Sequence, residues 1–267
     1  MRIQAGPIDR EWGFDPDPLG RPRTHSAEFE PGLPTSTRGQ QIPHLRRVCS
    51  LDDLERLRSY PGLPATSATA LVKSARLYQQ ALWNADASPE LAWLLLVSAV
   101  ETAALQWRGE SELPAERLER SYGGVVAALR EAGGQTLVDV VAAQLAPRLG
   151  VTGRFIGFIT TFLPEPPEAR PDMQRFDFSA GSIKKAADQI YSYRSRALHD
   201  GTPFPAPMCE PPGRFSQGPP EEVPGGLATG TLGATWLLKD TPMLLHVFAH
   251  IARGAIVKWW GAMDRTA

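Results

Sequence analysis

Apolar residues recur at three- and four-residue intervals over most of the chain beyond residue 48, and the pattern predicts a series of helices. A short one starts after Ser50, where Asp52 and Asp53 place acids at the positive end of a helix dipole, and stops at Tyr60-Pro61-Gly62. A second runs from about Ser67 to Ala85, with Leu71, Ala75, Tyr78 and Leu82 on one stripe. Ser88 followed by Pro89 opens a third, Pro89 to about Trp107, which is apolar almost all round. A helix without a polar face belongs in the middle of a bundle. Glu101 lies inside it. A fourth helix spans about Pro114 to Glu131, broken by Gly123-Gly124 and ended by Gly133-Gly134; a fifth spans about Thr136 to Leu145, stopped by Pro147 and Gly150. The apolar run 152–163 fits a helix or a strand equally well. After a loop enforced by Pro164, Pro166, Pro167 and Pro171, a helix spans about Ser182 to His199. The last helix is expected from Thr241-Pro242 to about Met263.

Two segments lack this periodicity. Prolines at 7, 16, 18, 22, 31, 34 and 43 predict an extended Pro-rich N-terminal arm over residues 1–48. Residues 201–235 are Pro/Gly-rich and read as a loop inserted into the helical domain, residues 49–267. The expected fold class is therefore all-α, a helical bundle with Pro/Gly-rich loops and an irregular arm.

Composition narrows the functional classes. The formal net charge of −1 exerts no global pull on nucleic acid or anionic membrane, so a polyanionic partner has to be held by a local basic patch. Two cysteines, Cys49 and Cys209, form no metal-ligand spacing and suit a reducing compartment. The longest apolar run, Leu91 to Trp107, is interrupted by Ser98, Glu101, Thr102 and Gln106, which disfavours a membrane span. With no signal-peptide pattern at the N-terminus, a cytoplasmic protein is expected. The sequence has no P-loop, GxGxxG or Ser/His/Asp arrangement, and neither a cofactor nor a metal is expected. His246 and His250 stand four apart on the last helix, with Arg253 continuing the row, but lack a third ligand nearby and read as a polar stripe. Trp259 and Trp260 read as core residues, and both cysteines as inert.

The densest chemistry lies in Tyr193-Arg194-Ser195-Arg196-Ala197-Leu198-His199-Asp200-Gly201. Ile183, Ala187, Ile190, Arg194 and Ala197 share one helical stripe, so Arg194 occupies a core-facing register. A buried guanidinium must snorkel, pair with a buried acid or line an anion-binding cleft. Glu101, on the most apolar helix, is the acid nominated as its partner. His199 lies about 140° around an ideal helix from Arg194, at a helix end that Gly201 allows to turn. An imidazole able to exchange a proton near neutral pH, beside a fixed positive charge, suits phosphoryl transfer on RNA. Lys184, Lys185 and Arg196 make the helix locally basic.

The segment Arg194-Ser195-Arg196-Ala197-Leu198-His199 resembles the Arg-x-x-x-x-His signature of HEPN domains, and its Arg-Ser start and following Gly are similar to the ApeA-like HEPN group. The helix carrying Val97-Ser98-Ala99-Val100-Glu101 resembles the acidic helix of that superfamily. The similarity extends over roughly residues 67–263; the N-terminal arm, the long insert after Gly201 and Asp200 between His and Gly depart from it. It implies a helical homodimer with two motifs facing each other, and a metal-independent ribonuclease acting through the 2′-hydroxyl, in toxin–antitoxin or phage-defence systems. His199 would be the general acid or base, Arg194 the phosphate stabiliser and Glu101 the group that orients Arg194, with Ser195, Arg196 and Lys185 contacting RNA. An antitoxin or regulatory protein is an implied partner, and the insert a candidate lid. The alternatives are a non-catalytic HEPN-like dimeric module that binds nucleotide or protein, and a purely structural helical dimer.

Overall fold

The computed structural model describes residues 39–43, 51–107, 113–213, 218–225, 228–231 and 234–264. Apart from residues 39–43, the arm predicted over residues 1–48 lies outside them, as does Cys49. The described chain is predominantly helical, as the periodicity predicts: α1 (Ala65–Asn84), α2 (Pro89–Gln106), α3 (Pro114–Thr161), α4 (Ala180–His199) and α5 (Leu245–Asp264). The short helix before α1 is a 3-10 run, Leu51–Gly62, tied to α5 by Trp260 Nε1 donating to Ser59 Oγ at 3.1 Å.

α2 is the central helix. Its lack of a polar face lets it meet α1, α3, α4 and α5 at once. Trp93, Leu96, Val97 and Val100 are fully buried on it, and burying a side chain of Leu or Phe size contributes about 1.5–3 kcal/mol. Trp93 stacks between Phe204 (5.6 Å between ring centres) and Phe248 of α5 (5.3 Å). Ser74 Oγ of α1 donates to the Ala99 carbonyl at 2.6 Å, so the polar atom that this close crossing buries is satisfied.

α3 keeps the interruptions predicted near Gly123-Gly124 and at Gly133-Gly134, loses the stop predicted at Pro147 and resolves the undecided run as helix. Helix continues from Pro114 to Thr161, with non-helical backbone at Tyr122 (φ −145°, ψ 52°) and Gly134 (φ 69°, ψ −168°). Gly134 adopts a conformation that side chains resist, which is where the glycine pair predicts an end. The pieces on either side of it enclose a small satellite core of Leu118, Val126, Val138 and Ala142. Pro147 does not stop the helix, and 152–161 is helical. Phe155, Phe158 and Ile159 stand at helical spacing and are buried in the main core, so tertiary packing outweighs the one hydrogen bond Pro147 forgoes. Phe158 meets Trp259 of α5 edge-on at 5.8 Å, which places Trp259 in the core.

α4 starts two residues before the predicted Ser182 because of its cap. Ser179 Oγ accepts from the Ser182 N–H at 3.4 Å, and Asp177 accepts from Ser179 N–H (2.9 Å), Ser179 Oγ (2.7 Å) and Ser182 Oγ (2.6 Å). The hydrogen bonds from Ser182 and Ser179 hold the Asp177 carboxyl down at about 2, from an ordinary 3.8. A carboxylate with a depressed folded pKa stabilises above its unfolded pKa and loses that contribution as pH falls through the folded one. Asp177→Ala is therefore expected to lower the melting midpoint by a constant amount from pH 7 down to about pH 4, and by progressively less towards pH 2. A midpoint difference unchanged over that whole range would contradict the ionic origin of the cap.

The insert is more structured than a loop. It contains a 3-10 turn, Ala206–Cys209, and an antiparallel pair, β1 (Ala228–Thr231) and β2 (Ala234–Leu237), in register from Ala228 opposite Leu237 to Thr231 opposite Ala234. These strands, Ala-Thr-Gly-Thr and Ala-Thr-Trp-Leu, are only four residues long and carry no alternation that a sequence reading detects. The last helix begins at Leu245 rather than at Thr241. Thr241 instead closes a 3-10 turn, Leu238–Asp240, its N–H and its hydroxyl both donating to the Leu238 carbonyl at 3.2 Å.

The Pro-rich loop after α3 and the insert are each fastened to α5 by one of its histidines. His250 Nε2 meets the Glu165 carbonyl at 2.8 Å, and His246 Nε2 meets the Glu221 carbonyl at 2.7 Å. The segments are fastened to each other by an ion pair with no periodic signature. Arg170 Nε donates to Glu222 Oε1 at 2.8 Å and its Nη2 to Glu222 Oε2, while Oε2 also accepts the Phe176 N–H at 2.7 Å. Glu222 is 2% exposed. Among the described residues no helix is long and apolar enough to cross a membrane.

Candidate functional site

The core-facing stripe of α4 lies as its spacing predicts: Ile183, Ala187 and Ile190 are buried, and Arg194 and Ala197 half-buried. Arg194 Nη2 donates to Glu101 Oε2 at 2.8 Å, so the acid nominated from the apolar helix is its partner. The Glu101 side chain is 10% exposed and that of Arg194 21%. The other carboxylate oxygen, Oε1, accepts from the Tyr191 hydroxyl at 2.9 Å. Tyr191 and Arg194 stand three apart on one helix face, so the two donors bracket a single carboxylate. The guanidinium lies 5.7 Å from the centre of the Tyr191 ring, which packs on Phe155 of α3 at 5.1 Å. Burial, followed by the charge of Glu101, pushes the Tyr191 phenol up to about 12, so it is a neutral donor at physiological pH.

The cluster is not fully satisfied. Arg194 Nε is buried without a hydrogen-bond partner, an arrangement that costs about 1–3 kcal/mol. Arg196 Nε is in the same condition, with its guanidinium 4.8 Å from the centre of the Tyr193 ring. Tyr193 in turn donates to the Asp240 carbonyl, and Gln189 Nε2 donates to the Lys239 carbonyl at 2.8 Å. These contacts, four residues apart on α4, seat the turn that follows β2. The earlier part of the insert is anchored by Phe204 against Trp93 and by Trp93 Nε1 donating to the Met208 carbonyl at 3.0 Å. Among the described residues, no hydrogen bond or ring contact joins residues 201–240 to Arg194 or Glu101. On an ideal helix, Gln189 and Tyr193, which hold the insert, lie about 140° and 100° around α4 from Arg194.

His199 is the last residue of α4 and is exposed. Asp200 N–H and Thr202 N–H both return to the Arg196 carbonyl, at 2.9 and 3.3 Å, across Gly201 at φ 66°. The chain therefore turns away immediately after the histidine. His199 makes no hydrogen bond or ion pair among the described residues. On an ideal helix Arg196 and His199 lie within about 20° and 40° of Lys185, and Arg194 about 180° from it. Lys185 is exposed and Ser195 half-buried. The structure thus brings Arg194 and Glu101 together, and sets His199, Arg196 and Lys185 on another face. Tyr191 is the member that the sequence reading misses; the one signal was a tyrosine three residues before the core-facing arginine. Cys209 is held protonated, pushed up to about 12 chiefly by burial, and is a poor nucleophile.

No protein-family model, curated protein or solved structure matches the chain. The all-α bundle with an Arg–Glu–Tyr cluster on one face of α4 and an exposed histidine at its end is the frame within which function has to be read.

Proposed function

We propose that the protein is a metal-independent, HEPN-type endoribonuclease that cleaves RNA by attack of the 2′-hydroxyl on the adjacent phosphate, leaving a 2′,3′-cyclic phosphate. The observation that carries this reading is the held arginine: Arg194 sits in a core register, oriented by Glu101, five residues before an exposed histidine at a helix end. A guanidinium with donors to spare stabilises the charge that builds on phosphate oxygens, and an imidazole exchanges the protons of the nucleophile and leaving oxygen. Arg194 and His199 diverge by about 140° on their own helix. The site is therefore proposed as composite, with the ends of two α4 helices meeting across a homodimer. Ser195, Arg196 and Lys185 contact the RNA strand in this reading, and an antitoxin or regulatory protein restrains it, as in toxin–antitoxin or phage-defence systems.

That same divergence favours a second reading, a non-catalytic HEPN-like dimeric module that binds nucleotide or protein. The two are separated by incubating the purified protein with single-stranded RNA in EDTA and analysing the product ends. The nuclease reading expects cleavage with 2′,3′-cyclic ends, blocked by a 2′-deoxy substitution at the cut site. Intact RNA across several sequences, or cleavage of the 2′-deoxy substrate, would remove it.

A further inference from the structure

The central helix α2 keeps one open face. Leu91, Leu94, Leu95, Ser98, Thr102 and Leu105 fall within a sector of about 100° on an ideal helix. These six are half-buried or exposed, while every other residue from 91 to 105 is buried. Ala99 and Glu101 stand about 80° to either side of Leu91 on an ideal helix. Ala99 accepts from Ser74 of α1 and Glu101 from Arg194 of α4, so the open face lies between those two helices. It carries no charged residue. The Thr102 hydroxyl is taken up by its own helix, donating to the Ser98 carbonyl at 2.8 Å. Leu91 is 41% exposed and Leu105 55%, and on α4 Leu198, four residues after Arg194, is 53% exposed. An uncharged leucine stripe facing water on the central helix of a bundle marks an interaction surface.

The order of residues along the stripe selects the partner. Leu91 lies seven residues before Ser98 and Leu105 seven after it, about two helical turns in each direction. A second α2 laid antiparallel across a twofold axis at Ser98 therefore sets Leu91 of each copy against Leu105 of the other. The two serines, the smallest side chains of the stripe, meet at the crossing, where small residues let helix axes approach to about 8 Å. A face without charge also meets its own image without repulsion. We infer that the open face of α2 is a self-association surface, on which a second copy of this chain packs its own α2 antiparallel about a twofold axis at Ser98. Such an axis keeps α4 over α4. α4 runs against α2, since Arg194 lies beside Glu101 and Phe204, beyond the end of α4, lies beside Trp93. On ideal helices this register brings Arg194 of one copy level with His199 of the second copy to within about 1.5 Å along the axis, one residue's rise. The surface deepens the ribonuclease reading by giving its composite site a register, but it stands on the stripe alone.

The register is tested in the full-length chain with Cys49→Ser, Cys209 being held protonated by burial. Ser98→Cys, a nearly isosteric change, is expected to give a covalent dimer on mild oxidation at micromolar concentration, because the two thiols face each other at the axis. Leu105→Cys is expected to give none, because its own image lies about 20 Å away. The second readout is the self-association constant from analytical ultracentrifugation. Leu91→Lys and Leu105→Glu, at positions already open to solvent, are each expected to weaken it about 10-fold or more, since each change enters the interface twice. Leu91→Lys combined with Leu105→Glu in one chain is expected to recover much of the loss, because the register then sets opposite charges together at both ends. Leu91→Lys combined with Leu105→Lys is expected to recover nothing. A wild-type chain that stays monomeric at micromolar concentration overturns the inference, whatever covers the stripe. So does a dimer in which Ser98→Cys fails to cross-link, Leu105→Cys cross-links equally well, or the opposite charges recover nothing, since the copies then meet elsewhere. RNA left intact by a protein that cross-links at Ser98 removes the ribonuclease reading and leaves the interface standing. Cleavage by a strictly monomeric protein does the reverse.

Discussion

Protein carrying His199→Ala is expected to cleave RNA about 10²–10⁴-fold more slowly than the wild type, the range for loss of a general acid or base. The same variant is expected to fold as well as the wild type. His199 is exposed, ends its helix and makes no hydrogen bond or ion pair among the described residues. The stabilising element it offers is a favourable position at the negative end of the α4 dipole, worth about 0.3–1 kcal/mol when charged. Cleavage rates under single-turnover conditions and melting curves on the same preparations check both halves. A large loss of activity with an intact fold is the signature of a group that acts on substrate. Undiminished cleavage would take the histidine, and with it the proposed mechanism, out of consideration. A composite site adds a further expectation: mixtures of His199→Ala and Arg194→Ala chains regain activity when their subunits exchange, because one intact site can assemble from the two. Here the arginine variant is a reagent for complementation, since its own fold bears the burden of leaving Glu101 without its ionic partner.

The second large effect falls on stability and leaves the chemistry alone. Arg170→Ala strands Glu222, a carboxylate 2% exposed, with the Phe176 N–H as its remaining donor. Removing one member of a buried ion pair costs about 3–5 kcal/mol, because the surviving charge keeps its desolvation and loses its partner. For a chain of this size that corresponds to a fall in melting midpoint on the order of 10 °C. The loss is concentrated because Glu222 is a junction. Its N–H donates to Gln174, its carbonyl accepts from Leu244 just before α5, and its side chain holds Arg170 and Phe176. Replacing both partners by apolar residues, as in Arg170→Met with Glu222→Leu, is expected to recover much of the loss, since no charge then remains buried. Thermal and urea unfolding of the two variants tests this. A single-variant destabilisation below about 1 kcal/mol would show that water reaches the pair and screens it.

The Arg194–Glu101 and Arg170–Glu222 pairs differ in what their local sequence reveals. The Arg194–Glu101 pair is accessible to reasoning because each partner breaks a strong local rule. One is an arginine in an apolar stripe, the other an acid in a helix with no polar face, and burial makes each require the other. Arg170 and Glu222 break no rule. Both lie in segments without periodicity, where a charged residue looks like any solvated loop residue, and the burial that gives them meaning arises when two Pro-rich segments converge on α5. Tyr191 is similar: its ring suits the core whether or not its hydroxyl reaches Glu101. The helix boundaries divide in the same way. Ser88-Pro89 marks a start that the structure keeps, with the proline in the first turn, where its missing N–H costs nothing, and no capping bond from the Ser88 side chain. Thr241-Pro242 has the same local form, but the threonine hydroxyl is spent on the preceding turn, and the helix waits until Leu245. Pro147 carries a stop signal that the burial of Phe155, Phe158 and Ile159 outweighs.

By itself the sequence determined that this is an all-α protein, which helix lies at its centre, and which acid a core-facing arginine would meet if it paired. Periodicity and the cost of burying charge are properties of single helices, so they are present before the chain folds. The tertiary structure alone decided that the insert meets α4 at Gln189 and Tyr193, that the histidines of α5 fasten loops, and that Tyr191 shares the Glu101 carboxylate with Arg194. Those outcomes depend on which surfaces meet, and contacts between residues some 90 positions apart, as in Tyr191 to Glu101, leave no periodic trace in either segment.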